Sequence, residues 1–394
     1  PRRTALTLGS LGAGLAAYLF LGALSQGFFL QMRDNATGLV TGHVQIEVKG
    51  FRDELDAKLT LANSAELLAR VRANPTVAAA TPRLQAMAMM SSPTQSEPVM
   101  LYGVDPEAER AVTRLHRQVR EGNYLLPDSS REIIIGRKLA ERLGVRLGEK
   151  IVIIAPAADG TLGSAALRVT GIFETDNDVL DRNVALTSLA AARELLGVSR
   201  EAATIVVRLK DIEALDAAAA SLTGMLAGPD QEVVTWKVLL PEAVQMLELI
   251  RVNLYIILLV VFVVVALGVA NTLLMAVLER TREFGLQLAL GTRPGLIVRT
   301  VLYESLVLGV LGLAAGIVLG SLIVGYYHTY GFDLTAYAAA TKAIPGMTGV
   351  VYPTIVLGNV WLPVAALLVT SLTAALYPAW RAARLDAIQA LRHV

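Results

Sequence analysis

The sequence predicts an α-helical membrane protein with four transmembrane helices in a 1+3 arrangement and one large extracytoplasmic α+β domain between helices 1 and 2. Three observations carry this. Of 394 residues, 54% are hydrophobic, and the mean hydropathy is +0.54, far from an ordinary soluble chain. Four apolar stretches reach the ~20 residues needed to cross a bilayer. Between the first and second of them, residues 33–245 alternate short β-rich runs with amphipathic ones.

The first span covers residues 1–32, because Thr4 to Met32 is 29 residues without a charge. Ala23-Leu24-Ser25 has the small-x-small form of a signal-peptide cleavage site, but the apolar run far exceeds the ~7–15 residues of a signal core. A retained span is therefore expected. In the domain that follows, His43 to Lys49 alternates with period two and reads as a strand. Ser64 to Ala73 reads as a helix capped by Asn63 and ended before Pro75. Thr76 to Met90 and Pro98 to Val104 read as strands, and Pro106 to Arg120 as a helix. Glu132 to Gly136, Lys150 to Ala155, Leu167 to Phe173, Thr204 to Leu209 and Glu232 to Val238 are further strands. Leu189 to Leu196 and Ile212 to Ala227 are helices. Strands and helices mix without strict alternation, hence α+β.

A helix opening at Pro241 is expected to continue unbroken into the second span, 246–278, as a stalk. A short charged segment, 279–294, precedes the third span, 295–327. The loop 328–356 holds Tyr330, Tyr337 and Tyr352 and follows Tyr326 and Tyr327, aromatics of the kind that mark a membrane interface. Pro345 and Pro353 argue against an earlier start for the fourth span, placed at 357–379, before the tail 380–394. The N-terminus, 279–294 and the tail carry Arg2, Arg3, Arg280, Arg282, Arg293, Arg381, Arg384 and Arg392 against Glu279, Glu283 and Asp386. That excess near helix ends predicts that all three are cytoplasmic.

Chemistry by this chain finds no support. No G-x-x-x-x-G-K-[ST], H-E-x-x-H or G-x-S-x-G occurs. His43, His116, His328 and His393 are scattered, and no cysteine is present, so no metal site is expected. Asp176, Asp178 and Asp181 beside Glu174 lack the glycine and terminal glutamate of a calcium loop and read as a solvated acidic turn. Residues 43–245 hold 23 Lys and Arg against 27 Asp and Glu, which does not suggest a nucleic-acid surface. Gly312, Gly316 and Gly320 lie along one helix face and predict close helix packing, as do Gly9, Gly12 and Gly14 in the first span. Glu304 is an intramembrane acid, read as a structural hydrogen bond to Asn271 or to a partner helix, or as a substrate or proton group. Arg299 sits about 140° away round the helix and is expected to snorkel.

Asn271 to Gly291 resembles the signature of FtsX-like permeases, membrane subunits of type VII ABC transporters such as the Lol lipoprotein-releasing permeases and the MacB exporter. Ile134 to Lys150 resembles the outer-domain segment of the Lol and MacB branch, Tyr303-Glu304 the start of the third span, and Tyr377 to Arg392 the family's C-terminal ending. The resemblance implies that Glu279, Arg280, Thr281, Arg282, Glu283, Phe284 and Gly285 form a coupling helix seated in a groove of an ATPase subunit. Charge pairs would dock it, with Phe284 and Leu288 as an apolar ridge. It further implies a non-catalytic permease in the bacterial inner membrane with a MacB-like periplasmic core. Two separate ATPase subunits would bind ATP and Mg, and a second permease would complete a homodimer or heterodimer. A periplasmic carrier or adaptor is a further expected partner.

On this reading ATP hydrolysis moves the periplasmic domain (mechanotransmission) to extract or export lipoprotein or another hydrophobic cargo. The alternatives are MacB-like export of periplasmic cargo and an FtsX-like regulator that activates a cell-wall hydrolase. The sequence departs from MacB in having no fused ATPase, and its 328–356 loop is longer than the Lol and MacB pattern, with Gly331 to Tyr337 a subgroup feature.

Overall fold

The computed structural model describes residues 2–384 apart from 128, 130, 176, 200, 201, 227, 336–348, 357 and 359. Asp176, Tyr337, Pro345 and the tail bearing Asp386, Arg392 and His393 lie outside the described residues. The chain divides into two units, one of residues 1–30, 246–334 and 350–394, the other of 31–245 and 335–349.

In the outer unit the elements run β1 (Val44–Val48), α2 (Phe51–Glu54), α3 (Ser64–Ala73), β2 (Val77–Ser91), β3 (Ser96–Val104), α4 (Pro106–Val112), β4 (Val119–Gly122), β5 (Glu132–Gly136), α5 (Arg137–Leu143), β6 (Lys150–Pro156), β7 (Leu162–Phe173), α6 (Asp178–Asn183), β8 (Val184–Ser188), α7 (Leu189–Leu196), β9 (Thr204–Leu209), α8 (Leu215–Thr223), β10 (Gln231–Thr235) and α9 (Trp236–Leu239). They follow α1 (Arg2–Ala36), whose last residues belong to this unit, and a π turn, Thr37–Thr41. The strands make one sheet ordered β10-β1-β9-β2-β3-β8-β5-β7-β4, with β6 pairing both β2 and β7. Those last two pairings close β2, β3, β8, β5, β7 and β6 into a ring. Only β3/β8 and β5/β7 are parallel.

The ring follows from the length of β2 and the alternation of its neighbours. β2 pairs β9 through its first half (Val77 to Arg83), β3 from Arg83 to Ser91, and β6 at its end, with Met89 opposite Ile154. β6 alternates strictly, so Ile151, Ile153 and Ala155 face the core with Leu84, Ala86, Ile133, Ile135, Leu167 and Val169. Side chains fill the ring, as in small barrels.

Several elements differ from the sequence expectation. The helix from Pro106 stops at Val112, because Thr113 is extended and its hydroxyl donates to Glu109; Val119–Gly122 then pairs with β7. The last strand ends at Thr235, where β1 runs out of partners, and Trp236–Leu239 turns helical. The helix expected over 212–227 spans Leu215–Thr223. Asn63 has φ +54° and makes no side-chain cap. β8 has no period-two pattern because all five of its residues are buried. The acidic turn is not solvated throughout. Asn177 caps α6, and Asp181 turns inward, 2% exposed, accepting from the Thr175 amide and hydroxyl.

Glu109 anchors the unit's one fully buried ion pair among the described residues. Arg83 donates to it twice, Nε at 3.0 Å to Oε2 and Nη2 to Oε1, and donates a further bond to the Val40 carbonyl. Breaking such a pair by removing one member costs about 3–5 kcal/mol, since the other charge is stranded.

Among the described residues four helices are long and apolar enough to cross a membrane, and most of each lies in the other unit: α1, which runs on into the π turn, α10 (Pro241–Glu279), α12 (Pro294–Tyr330) and α13 (Trp361–Ala383). α11 (Thr281–Ala289) lies between α10 and α12, and a two-stranded ladder, β11 (Phe332–Asp333) with β12 (Val350–Val351), between α12 and α13. The fourth span thus starts later than residue 357 and runs through Pro378. A Cβ placed on Gly312 would lie 2.8 Å from the Leu11 Cβ, one on Gly316 2.8 Å from the Gly12 carbonyl oxygen, and one on Gly320 3.0 Å from the Leu19 Cδ1. The glycine face of α12 therefore receives α1 of the same chain. Elsewhere on α12, Ser305 donates to the Ser371 carbonyl of α13 at 3.3 Å. Val265, Val269 and Leu273 of α10 join the core that Leu11, Leu15, Leu313, Leu367 and Ala375 form. At the opposite end of α12 from Pro294, Phe20, Tyr327 and Phe332 stack with centroids 5.3–5.7 Å apart.

Gly316→Leu is expected to lower the unfolding midpoint of the detergent-solubilised protein, an overpacking penalty of at least about 1–3 kcal/mol; an unchanged midpoint would contradict the contact. Burial, opposed by the Thr175 hydrogen bonds, raises the Asp181 carboxyl to about 6. The folded chain then holds a proton that the unfolded chain has lost between pH 6 and the ordinary carboxylate value. This group's contribution to stability is full below that value and lost as pH rises to about 6. Asp181→Asn should remove that slope, measured as the wild-type-minus-variant difference in denaturant unfolding between pH 4 and pH 7.

Candidate functional site

The turn between α10 and α12 gathers the charged residues that the sequence singles out. α10 runs without a break to Glu279. Arg280 then leaves helical geometry (φ −104°, ψ 16°) while its amide still donates to Ala276 and Val277. The Thr281 hydroxyl donates to the Leu278 carbonyl at 2.8 Å, tying the start of α11 to the end of α10. Gly291, with φ +89°, closes the far end in a backbone conformation that suits glycine, and Pro294 opens α12 as its first residue.

Arg280 is the hub. Its Nε donates to Glu283 at 2.9 Å, its Nη1 donates to Glu304 at 3.3 Å, and its guanidinium lies 5.2 Å from the centre of the Phe284 ring. The pair to Glu283 is the larger reason the Arg280 pKa is raised, with Glu304 adding to it. Glu304 therefore bonds to Arg280 and not to Asn271, which lies exposed on α10. Arg299 donates to Tyr303 at 3.2 Å, one turn on. The Arg280–Glu304 bond joins α12 to the turn before α11. The sequence signal for it was an acid with no basic partner on its own helix and an arginine at the end of the preceding apolar helix.

Phe284 corrects the expected docking ridge. It is 2% exposed and packs with Val277, Ile297, Val301, Ala379 and Ala382, with Leu288 and Val298 alongside. Gly285 is buried beside it. The Phe284–Leu288 side of α11 is consumed by the chain's own helices. The exposed side consists of Arg282, Glu283, Leu286, Gln287 and Ala289, continued by Leu290 just past the helix, with Leu286 51% and Leu290 79% exposed. Leu286, Gln287 and Leu290 were missed in the sequence; the helical offset from Phe284 indicates Leu286, about 200° round, but not Gln287, about 60° away on the same face.

Phe284→Ala should destabilise the helical unit by about 3–5 kcal/mol, read as a fall in the unfolding midpoint in detergent. Leu286→Ala should leave that midpoint within about 0.5 kcal/mol of wild type. Equal effects would mean that the two sides of α11 are misassigned.

The sequence matches two family profiles, one described as MacB-like periplasmic core domain over residues 4–225, the other as FtsX-like permease C-terminal over residues 255–387. Similar curated proteins include the lipoprotein-releasing system transmembrane protein LolC of Neisseria meningitidis, 25% identical, covering 99% of this chain and 94% of that protein. LolE of Haemophilus influenzae is 27% identical over 82% of this chain and 79% of its own length. The macrolide export ATP-binding/permease protein MacB of Nitrobacter winogradskyi is 34% identical over 32% of this chain and 17% of its own length. Among solved structures, the periplasmic region of MacB from Actinobacillus actinomycetemcomitans aligns with a TM-score of 0.38 at 13% identity, covering 53% of this chain and 95% of that one.

Proposed function

We propose the function of this chain from its family: it belongs to the permeases that join a MacB-like periplasmic core domain to an FtsX-like C-terminal region. It is a permease of an ABC transporter. α11 is its coupling helix, docking by its outward side (Arg282, Glu283, Leu286, Gln287 and Leu290) into a groove of an ATPase subunit. The observation that carries this is the two-sidedness of α11, with Phe284 fixed in the chain's own core and the opposite side left open.

A push on α11 travels by two routes. The backbone passes it to α10, and the Arg280–Glu304 bond passes it to α12. α10 continues to Pro241, so the motion reaches the periplasmic domain along one helix. The arginine excess of the short segments supports a bacterial inner-membrane protein with both termini and α11 in the cytoplasm. Two permeases, as a homodimer or heterodimer, and two ATPase subunits make the complete machine. ATP and Mg bind the ATPase subunits, and this chain contributes no catalytic group. The near full-length similarity to LolC, named as a transmembrane protein of a releasing system, supports a separate ATPase and a lipoprotein or other hydrophobic cargo handed to a periplasmic carrier or adaptor. The partial similarity to MacB supports export of periplasmic cargo as the second reading.

Replacing Arg282 and Glu283 together by alanine should abolish copurification of the ATPase and cargo-stimulated ATP hydrolysis. The unfolding midpoint should move by less than about 1 kcal/mol, because both side chains are exposed. An ATPase that still copurifies and still responds to cargo overturns the assignment. Mass spectrometry of the complex purified from its native membrane identifies the ATPase, the second permease and the cargo.

A further inference from the structure

The outer unit is mildly acidic, with 23 Lys and Arg against 27 Asp and Glu over residues 43–245. Within it, a pocket of about 220 Å³ is nevertheless lined by Arg33, Gly38, His43, Arg114, Arg208 and Lys210. Asp34 is the one acid on its wall among the described residues. Asp34 and the neighbouring Glu213 are both engaged by Arg33, at 3.2 and 2.6 Å.

Among the described residues, the other cations have no carboxylate to neutralise them. Arg114 donates to a carbonyl, that of Asp34, at 2.6 Å, and its own amide donates to the Gly38 carbonyl at 2.7 Å. Gly38 leaves the room that guanidinium occupies, since a Cβ there would stand 2.7 Å from its Nη2. Arg208 lies near the end of β9 and Lys210 directly follows it. Both are exposed and line the pocket, and no acid among the described residues pairs with either. His43 adds a neutral donor. Its Nδ1 accepts the Leu209 amide at 3.2 Å, which leaves the ring proton on Nε2. Burial, with the Arg208 charge second, holds its pKa at about 4, so the ring is neutral at pH 7.

Three uncompensated cations and a neutral N–H around a small cavity suit a tetrahedral oxyanion, which accepts several charge-assisted hydrogen bonds at once. The position in the chain is informative as well. Arg33 follows directly on the uncharged run that ends at Met32, the depth at which headgroups meet a spanning helix. We propose that this pocket binds a phosphate ester, with Arg114, Arg208 and Lys210 supplying the charge. A phospholipid headgroup and a water-soluble phosphate share that chemistry. Either would tie the π turn after α1 to the end of β9, and neither role depends on how α11 engages its partner.

The test is native mass spectrometry and titration of the full chain in neutral detergent with phosphatidylglycerol and, separately, with glycerol 3-phosphate. Arg208→Gln with Lys210→Gln should weaken the tightest site about thirtyfold, two cations at the usual value per charge near a membrane surface. The unfolding midpoint should not change, because both side chains are exposed. Binding of both probes assigns recognition to the phosphate alone, and binding of the lipid alone assigns the source to the bilayer. Wild-type chain that binds neither probe, or a double variant that binds either probe as tightly as wild type does, overturns the proposal.

Discussion

Lipid tails are as apolar as leucine, so the spanning helices gain little by hiding apolar surface from them. What remains is close approach, and Gly312, Gly316 and Gly320 provide it. Any side chain at these positions would displace α1, and with it Leu11, Leu15 and Leu19, around which α10, α12 and α13 share one core. The serine pair between α12 and α13 satisfies polar groups inside that packing. α12 thus meets two neighbours on two faces, which fixes its rotation, and its rotation decides where Glu304 points.

The outer unit solves a different problem. Its sheet would present edges at β6 and at the end of β2, and joining those edges closes the ring. Closure buries the alternating side chains of β6 and β2 in one core. The Arg83–Glu109 pair sits where the ring meets the β9 extension, and a Val40 carbonyl from the π turn completes the guanidinium's bonding.

Much of this was legible in the residues. Uncharged runs marked the spans, period two marked β1, a β-rich run ending at a proline marked β6, and the spacing of three glycines marked a contact face, because each signal depends on local sequence alone. The ring closure was not legible, since pairing of β6 with β2 joins segments some sixty residues apart and leaves no periodic trace. β8 escaped because burial on every side erases alternation. Phe284 was placed on the wrong side of α11 for a related reason. An apolar pair on a short helix shows that one side is buried, but the partner, here Ile297, Val301 and Ala379, lies in helices that only tertiary structure brings together. Glu304 was recognised as costly, yet its partner Arg280 belongs to another element 24 residues away.

The division of labour on α11 has an evolutionary consequence. Substitutions at Arg282, Leu286 or Gln287 leave the packing of Phe284 untouched, so the outward side of α11 can vary without jeopardising folding. Given the docking role proposed for α11, duplicated copies of such a chain would acquire new ATPase partners by a handful of changes on one side of a nine-residue helix, Thr281–Ala289. Orthogonal pairs could be engineered along the same route, with the anchor held constant and only the outward residues exchanged.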